Sequence, residues 1–186
     1  VGIADWLGQL YGFAELTCDV ETFSLKHVTS GIGTCSFAWN KHEGVAFPVD
    51  LMETDLESQQ VRRNLRDFFE NYSGKLIFHN AAFDIYILIY QLWMKNILDT
   101  EGLLKGLSVM TRHFDCTKII TYLATNSCAG NDLSLKFNAQ EFAGNYALHG
   151  EDIKDITKVP LEDLLRYNQI DSCSTWYVKE KHEPTM

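Results

Sequence analysis

Four acidic residues constrain this chain more than any other feature, because each sits at a spacing that fits its local structure. Asp19 and Glu21 lie in LTCDVET, Asp84 in HNAAFD, and Asp171 in YNQID. On a strand, residues two apart share a face, so Asp19 and Glu21 point the same way. On a helix, residues four apart stack one turn above each other, which pairs Asn80 with Asp84 and Tyr167 with Asp171. Four acids converging on one cleft repel strongly, and such a cluster persists when divalent cations neutralise it. Two hard cations on carboxylate ligands are an apparatus for phosphoryl transfer, so the residues alone point to metal-dependent nuclease chemistry.

Each element also has a plainer reading. A single acid on a strand usually faces solvent, but Leu16 and Cys18 beside this pair suggest burial, where charge needs compensation. Asn80 could cap a helix following His79, with Asp84 on a solvated face, and an Asn at a strand-to-helix junction can cap and face a cleft at once. Tyr167 could be a core residue with its hydroxyl at the rim. His79 reads as a wall of the cleft rather than a ligand, because hard cations prefer oxygen. The remaining histidines show no HxxxH spacing. Gly31-Ile32-Gly33 lacks the third glycine of a dinucleotide loop, and no GxSxG pattern is present.

At 186 residues the chain is expected to form one domain with a substantial core. The longest apolar stretch, from Ile85 to Trp93, is far too short to span a bilayer, so no membrane partner is expected. Five scattered cysteines without a CxxC pair read as buried thiols of a reducing compartment, hence cytoplasmic. Val1 is not a translation start, so the chain is read as a domain of a longer polypeptide or a processed chain. The net charge of -9 argues against an extended nucleic-acid surface. The four acids contribute -4 of it, and two divalent cations would bring the site itself to neutrality.

The hydrophobic patterning predicts strands over Glu15 to Thr22, Gly31 to Trp39 and Val45 to Val49, in an antiparallel meander with Pro48 at an edge or a strand end. It predicts a helix over Asp55 to Tyr72, with Leu56, Val61, Leu65, Phe68 and Phe69 inward. A short strand over Lys75 to Phe78 leads into a helix from Asn80 to Trp93. The stretch from Asn96 to Met110 reads as a loop with a short helix. Phe114-Asp115 is expected to open a helix through Leu123, with Asp115 as its cap. Further helices are expected over Asp132 to Phe142, with Asp132 a cap, and over Leu161 to Lys179. The class is α/β: a mixed sheet flanked by helices, with a helical C-terminal half.

DVET, HNAAFD and YNQID, in that order, resemble the three motifs of the DEDD superfamily of 3'-5' exonucleases, in the branch whose third motif is Tyr-x-x-x-Asp. AFPVD, FDCTKIITYLA, LSLK and VPLEDLLRYNQID are similar to the proofreading domain of family A DNA polymerases, and the likeness runs from about Glu15 to Lys181. The resemblance implies an RNase H-like fold and two-metal hydrolysis, in Mg²⁺ or Mn²⁺, of the terminal phosphodiester at a single-stranded DNA 3' end. It implies that Asp19, Glu21 and Asp171 hold one metal, and that Asp19 holds the second with Asp84 acting through water. Tyr167 would orient the attacking water. Thr22 and Leu25 would line the terminal nucleotide pocket and Asn80 would contact the substrate strand, with His79, as read above, a wall of the cleft. One departure is an aliphatic residue near Ile156, where many members carry an aromatic that stacks on a base. A polymerase domain C-terminal to this chain, in a bacterium or a phage-infected host, is the implied partner. An RNA-trimming enzyme like RNase D and an inactive nucleic-acid-binding module are the alternatives.

Overall fold

The computed structural model describes residues 2–24, 30–126, 130–144 and 155–186. Its centre is the strand that carries the first two acids. β1 (Glu15–Thr22) pairs antiparallel with β2 (Ile32–Ala38), which pairs antiparallel with β3 (Gly44–Pro48). On the other side β1 runs parallel to β4 (Lys75–Phe78), and β4 runs parallel to β5 (Phe114–Cys116). The order is therefore β3-β2-β1-β4-β5, with β1 in the middle. Pro48 ends an edge strand, where its missing N–H costs no ladder bond.

The alternation along β1 divides the molecule. Leu16, Cys18 and Val20 enter one core with Phe37 of β2 and with Val61, Leu65, Phe68 and Phe69 of α2 (Asp55–Asn71). Phe37 meets Phe68 edge-on at 5.3 Å, a favoured geometry for two aromatic quadrupoles. α1 (Ile3–Leu10) and α3 (Ala81–Leu92) add Leu7, Leu10 and Leu88 to the same core. The opposite face of β1 presents Thr17, Asp19 and Glu21 toward the C-terminal half of the chain. Burial of each large core side chain contributes about 1.5–3 kcal/mol.

The AFPVD segment has a structural task. The Asp50 carboxylate takes both prongs of the Arg62 guanidinium, at 2.7 and 2.5 Å, and accepts from the Ile32 amide at 2.8 Å. Arg62 also donates to the carbonyl and the side-chain oxygen of Gln91. One bidentate pair thus ties the sheet to α2 and α3.

Several expectations need correction. Residues Thr100–Met110 form an eleven-residue helix, α4, whose N-terminus is capped by Asp99 accepting from the Gly102 amide at 2.9 Å. Two glycines within it weaken the helical signal in the sequence. Gly106 is there because a Cβ would lie 2.7 Å from Ile89 Cγ2, so its absence lets α4 close on α3. Phe114 and Asp115 belong to β5, not to a helix, and α5 (Thr117–Thr125) follows with Cys116 at its cap position. Asp115 caps nothing and pairs with Lys75 at 2.9 Å. The region expected as one helix from Asp132 is two four-residue helices, α6 (Leu135–Asn138) and α7 (Gln140–Ala143). Ser134 caps the first of them, and Asp132 accepts from the Ser134 amide. Leu56, expected inward, is 71% exposed in the first turn of α2.

The long C-terminal helix α8 (Leu161–His182) crosses β1, β2 and β3 on the polar face. Acids in its first turn and Lys179, Lys181 and His182 in its last complement the helix dipole. Its buried stripe is polar: Asn168, Asp171, Ser172 and Thr175 recur at helical spacing. Thr17 Oγ1 donates to the Ser172 carbonyl at 2.8 Å, Ser36 Oγ donates to the Asn168 carbonyl at 2.9 Å, and the hydroxyls of Ser36 and Ser172 meet at 2.5 Å. Cys18, Cys35, Cys116 and Cys173 are buried free thiols, and Cys128 lies outside the described residues. Among the described residues no helix is long and apolar enough to cross a membrane.

Candidate metal centre

β4 accompanies β1 only from Glu15 to Thr17, so the second half of β1 overhangs its parallel neighbour. After Phe78 the chain turns at His79 and Asn80 into α3, whose first turn stands beside that overhang. Asp84 occupies this turn and is 3% exposed. It accepts from the Val20 amide at 3.3 Å, a backbone donor that β4 leaves uncovered. On the other side α8 brings Asp171. One carboxylate oxygen each from Asp19, Glu21 and Asp171 lie within 4.8 Å of one another. The crevice beyond the carboxyl ends of parallel strands is where open α/β sheets bind ligands.

The electrostatics are those of an over-charged site. Burial pushes the Asp19 carboxyl well above the usual range, and repulsion from Asp84, Asp171 and Glu21 adds to it. Burial, with repulsion from Asp171, raises Glu21 to about 8. Asp84 is also pushed well up by burial, against the pull of the amide bond it accepts. The nearby Lys136 ammonium opposes the shifts of Asp19 and Glu21. An all-oxygen donor set of this density fits a hard divalent cation.

Two residues outside the acidic motif positions complete the site. Lys136, the last residue of LSLK, ion-pairs with Asp171 Oδ1, and its Nζ lies 4.2 Å from the centre of the Tyr167 ring. Asn168, fully buried, donates from Nδ2 to Asp19 Oδ2 at 2.7 Å and accepts from Thr34 Oγ1 at 2.9 Å. The polar stripe of α8 was a usable signal for Asn168, since it lies three residues before Asp171 on the same face. Replacing Asn168 by Ala strands the Thr34 hydroxyl and removes a donor from Asp19. It is expected to destabilise the domain by about 2–4 kcal/mol, read as a lower urea midpoint with an unchanged slope.

The other expected contacts fare differently. Tyr167 is half-buried one turn before Asp171, beneath Lys136. Thr22 ends β1 and donates to the Ser24 carbonyl at 3.0 Å, while Leu25 lies outside the described residues. Asn80 is exposed with a left-handed backbone (φ 65°) and makes no side-chain capping bond. It therefore does not stack over Asp84, because the helix begins only at Ala81. His79 is turned to internal bracing. Its Nε2 meets the Leu133 carbonyl at 3.0 Å and its Nδ1 the Thr117 hydroxyl at 2.8 Å. A carbonyl can only accept, so Nε2 carries the proton, and burial holds the ring neutral with a pKa of about 4. With both nitrogens committed, His79 offers no polar atom to a substrate. Ile156, buried in a short 3₁₀ turn, packs on β2: a Cβ on Gly33 would lie 2.3 Å from Ile156 Cδ1. The register of β1 against β2 shifts at this point, between Glu21 and Thr22.

A mixed five-stranded sheet flanked by helices, with a carboxylate cluster beside the second half of its central strand, is an RNase H-like fold. The sequence signature described as 3'-5' exonuclease, of the DNA polymerase A type, matches residues 2–185. The chain belongs to this 3'-5' exonuclease family. Among solved structures it is similar to Brucella melitensis NrnC with bound Mg²⁺, at 17% identity and a TM-score of 0.65, over 94% of this chain and 74% of that one. The RNase domain of yeast Pop2 gives 13% identity and a TM-score of 0.54, over 95% and 82%. Pol1 from M. smegmatis in complex with DNA primer-template and dNTP gives 12% identity and a TM-score of 0.58, over 98% of this chain and 26% of that one. No curated protein sequence matches significantly.

Proposed function

We propose that this exonuclease acts on single-stranded DNA, removing nucleoside monophosphates one at a time from the 3' end as a proofreading domain does. In this reading residues 1–186 form one exonuclease domain, and synthesis belongs to a polymerase domain that follows it. The observation that carries the proposal is the approach of Asp19, Glu21 and Asp171 to within 4.8 Å, with Asp84 hydrogen-bonded to the strand between them. These four carboxylates would hold two divalent cations, Mg²⁺ or Mn²⁺: Asp19, Glu21 and Asp171 one, and Asp19 with Asp84 the other. Such ions supply Lewis acidity, for the attacking water and for the charge on the departing 3' oxygen. Asn168, by donating to Asp19 Oδ2, fixes the orientation of that carboxylate. Tyr167, rooted one turn from Asp171, is assigned to orient the attacking water. Thr22, at the open end of β1, and Leu25 are assigned to the terminal nucleotide, and the exposed Asn80 to the substrate strand.

The test is a time course on a 5'-labelled single-stranded DNA oligonucleotide in Mg²⁺, Mn²⁺ and EDTA, with a matched RNA in competition. A ladder shortening by single nucleotides, silenced by EDTA, is the expected result. Preferential shortening of the RNA would place the activity with RNases such as Pop2 and overturn the DNA assignment. Binding without shortening in either metal would make the domain a nucleic-acid-binding module.

A further inference from the structure

We propose that Lys136 is a tethered cation that occupies the acidic centre until a divalent ion displaces it. The inference deepens the two-metal reading and rests on it. Lys136 reaches the centre from outside the three acidic motifs, on a helix of only four residues. That helix is well anchored. Ser134 caps it, Asn138 Nδ2 donates to the carbonyls of Asp132 and Ser134, and His79 holds the Leu133 carbonyl. Leu135 and Ala139 pack against Val178 of α8. The backbone is thus fixed beside the cluster while the ammonium rides on a four-carbon stem that can swing without moving it.

The position of the charge matters more than its presence. The ammonium bonds Asp171, one of the three acids whose oxygens converge, and lies over the ring of Tyr167 in the same helix face. The Asp171 side chain is 9% exposed and that of Lys136 is 26% exposed, so the pair closes the cluster at its rim. A cation held by Asp19, Glu21 and Asp171 must share the Asp171 carboxylate with this ammonium or replace it, and two like charges at that range repel. Lys136 therefore does two things. It stabilises the centre when metal is scarce, and it lowers the centre's affinity for the first ion.

The test uses Lys136→Met, which keeps the stem and loses the charge, and Lys136→Gln as a second variant should the first fold poorly. Free Mn²⁺ is followed by electron paramagnetic resonance during titration, and thermal unfolding is followed in EDTA. The neutral variants are expected to bind the first Mn²⁺ on the order of tenfold more tightly, the scale of removing a partly exposed unit charge. They are also expected to melt lower than wild type in EDTA and to gain more from Mn²⁺. Unchanged affinity and unchanged melting, with hydrolysis lost, would overturn the proposal and make Lys136 a substrate contact. If Asp171→Asn and wild type bind Mn²⁺ equally, the metal reading itself falls, which is a distinct result.

Discussion

Asp19→Asn is expected to melt higher than the wild-type protein in EDTA while losing at least about three orders of magnitude in exonuclease rate. Both effects follow from one arrangement. Asp19 is held in the middle of the sheet with Asp84, Glu21 and Asp171 around it, and burial with their repulsion pushes its carboxyl far up. Asn removes that repulsion and still accepts from Asn168 Nδ2 through its side-chain oxygen. Each kcal/mol recovered raises the melting temperature by about 2–4 °C in a domain of this size. What is lost is a ligand shared by both proposed cations. Melting curves in EDTA and rates on labelled single-stranded DNA check the two halves separately. An Asn variant less stable than wild type in EDTA would mean that the cluster is not strained by its own charge.

The second large effect is on pH. Glu21 holds its proton to about pH 8 in the folded protein, against an ordinary value of 4.5 once unfolded. Between those values the native state binds more protons than the unfolded chain, so metal-free stability falls as pH rises through the window. The penalty is absent below the unfolded value and complete above pH 8. His79 works in the opposite sense. Its pKa is lowered from 6.5 to about 4, so stability is lost as pH falls through that range. Above pH 6.5 only the carboxylate trend remains, and melting in EDTA is expected to drop steadily from pH 6.5 to 8. Glu21→Gln should make that slope shallower, the remainder being carried by Asp19 and Asp84. Apparent Mn²⁺ affinity should rise over the same interval, because the ion binds carboxylates that have released their protons. A flat melting profile in EDTA across these pH values would contradict the assigned shift of Glu21.

The acidic motifs were readable because a strand and a helix impose fixed periods. Two residues along β1 and one turn of α8 place Asp19, Glu21 and Asp171 without knowledge of the fold. That helical period does not extend to Asn80, because the residue before a helix need not take helical angles. Lys136 was invisible for another reason. Its partner is 35 residues away, and a four-residue helix shows no period. β5 was lost for similar brevity, since three residues cannot display alternation. Asn168, Ser172 and Thr175 carry the packing of α8, yet small polar residues on a helix ordinarily read as its wet side. Only the matching hydroxyls of Thr17, Thr34 and Ser36 across the sheet reveal that this side is dry.

That dry polar seam has a mechanical consequence. Two greasy surfaces can slide by a fraction of a turn and lose little, because dispersion has no preferred direction. Hydrogen bonds have one, and they break beyond a few tenths of an ångström. Thr17 on Ser172, Ser36 on the Asn168 carbonyl and Thr34 on the Asn168 side chain work like teeth in a keyway. Any slippage of the helix disengages all of them together. The seam therefore indexes Asp171 against Asp19, giving two carboxylates from opposite ends of the chain the alignment of parts cut from one block.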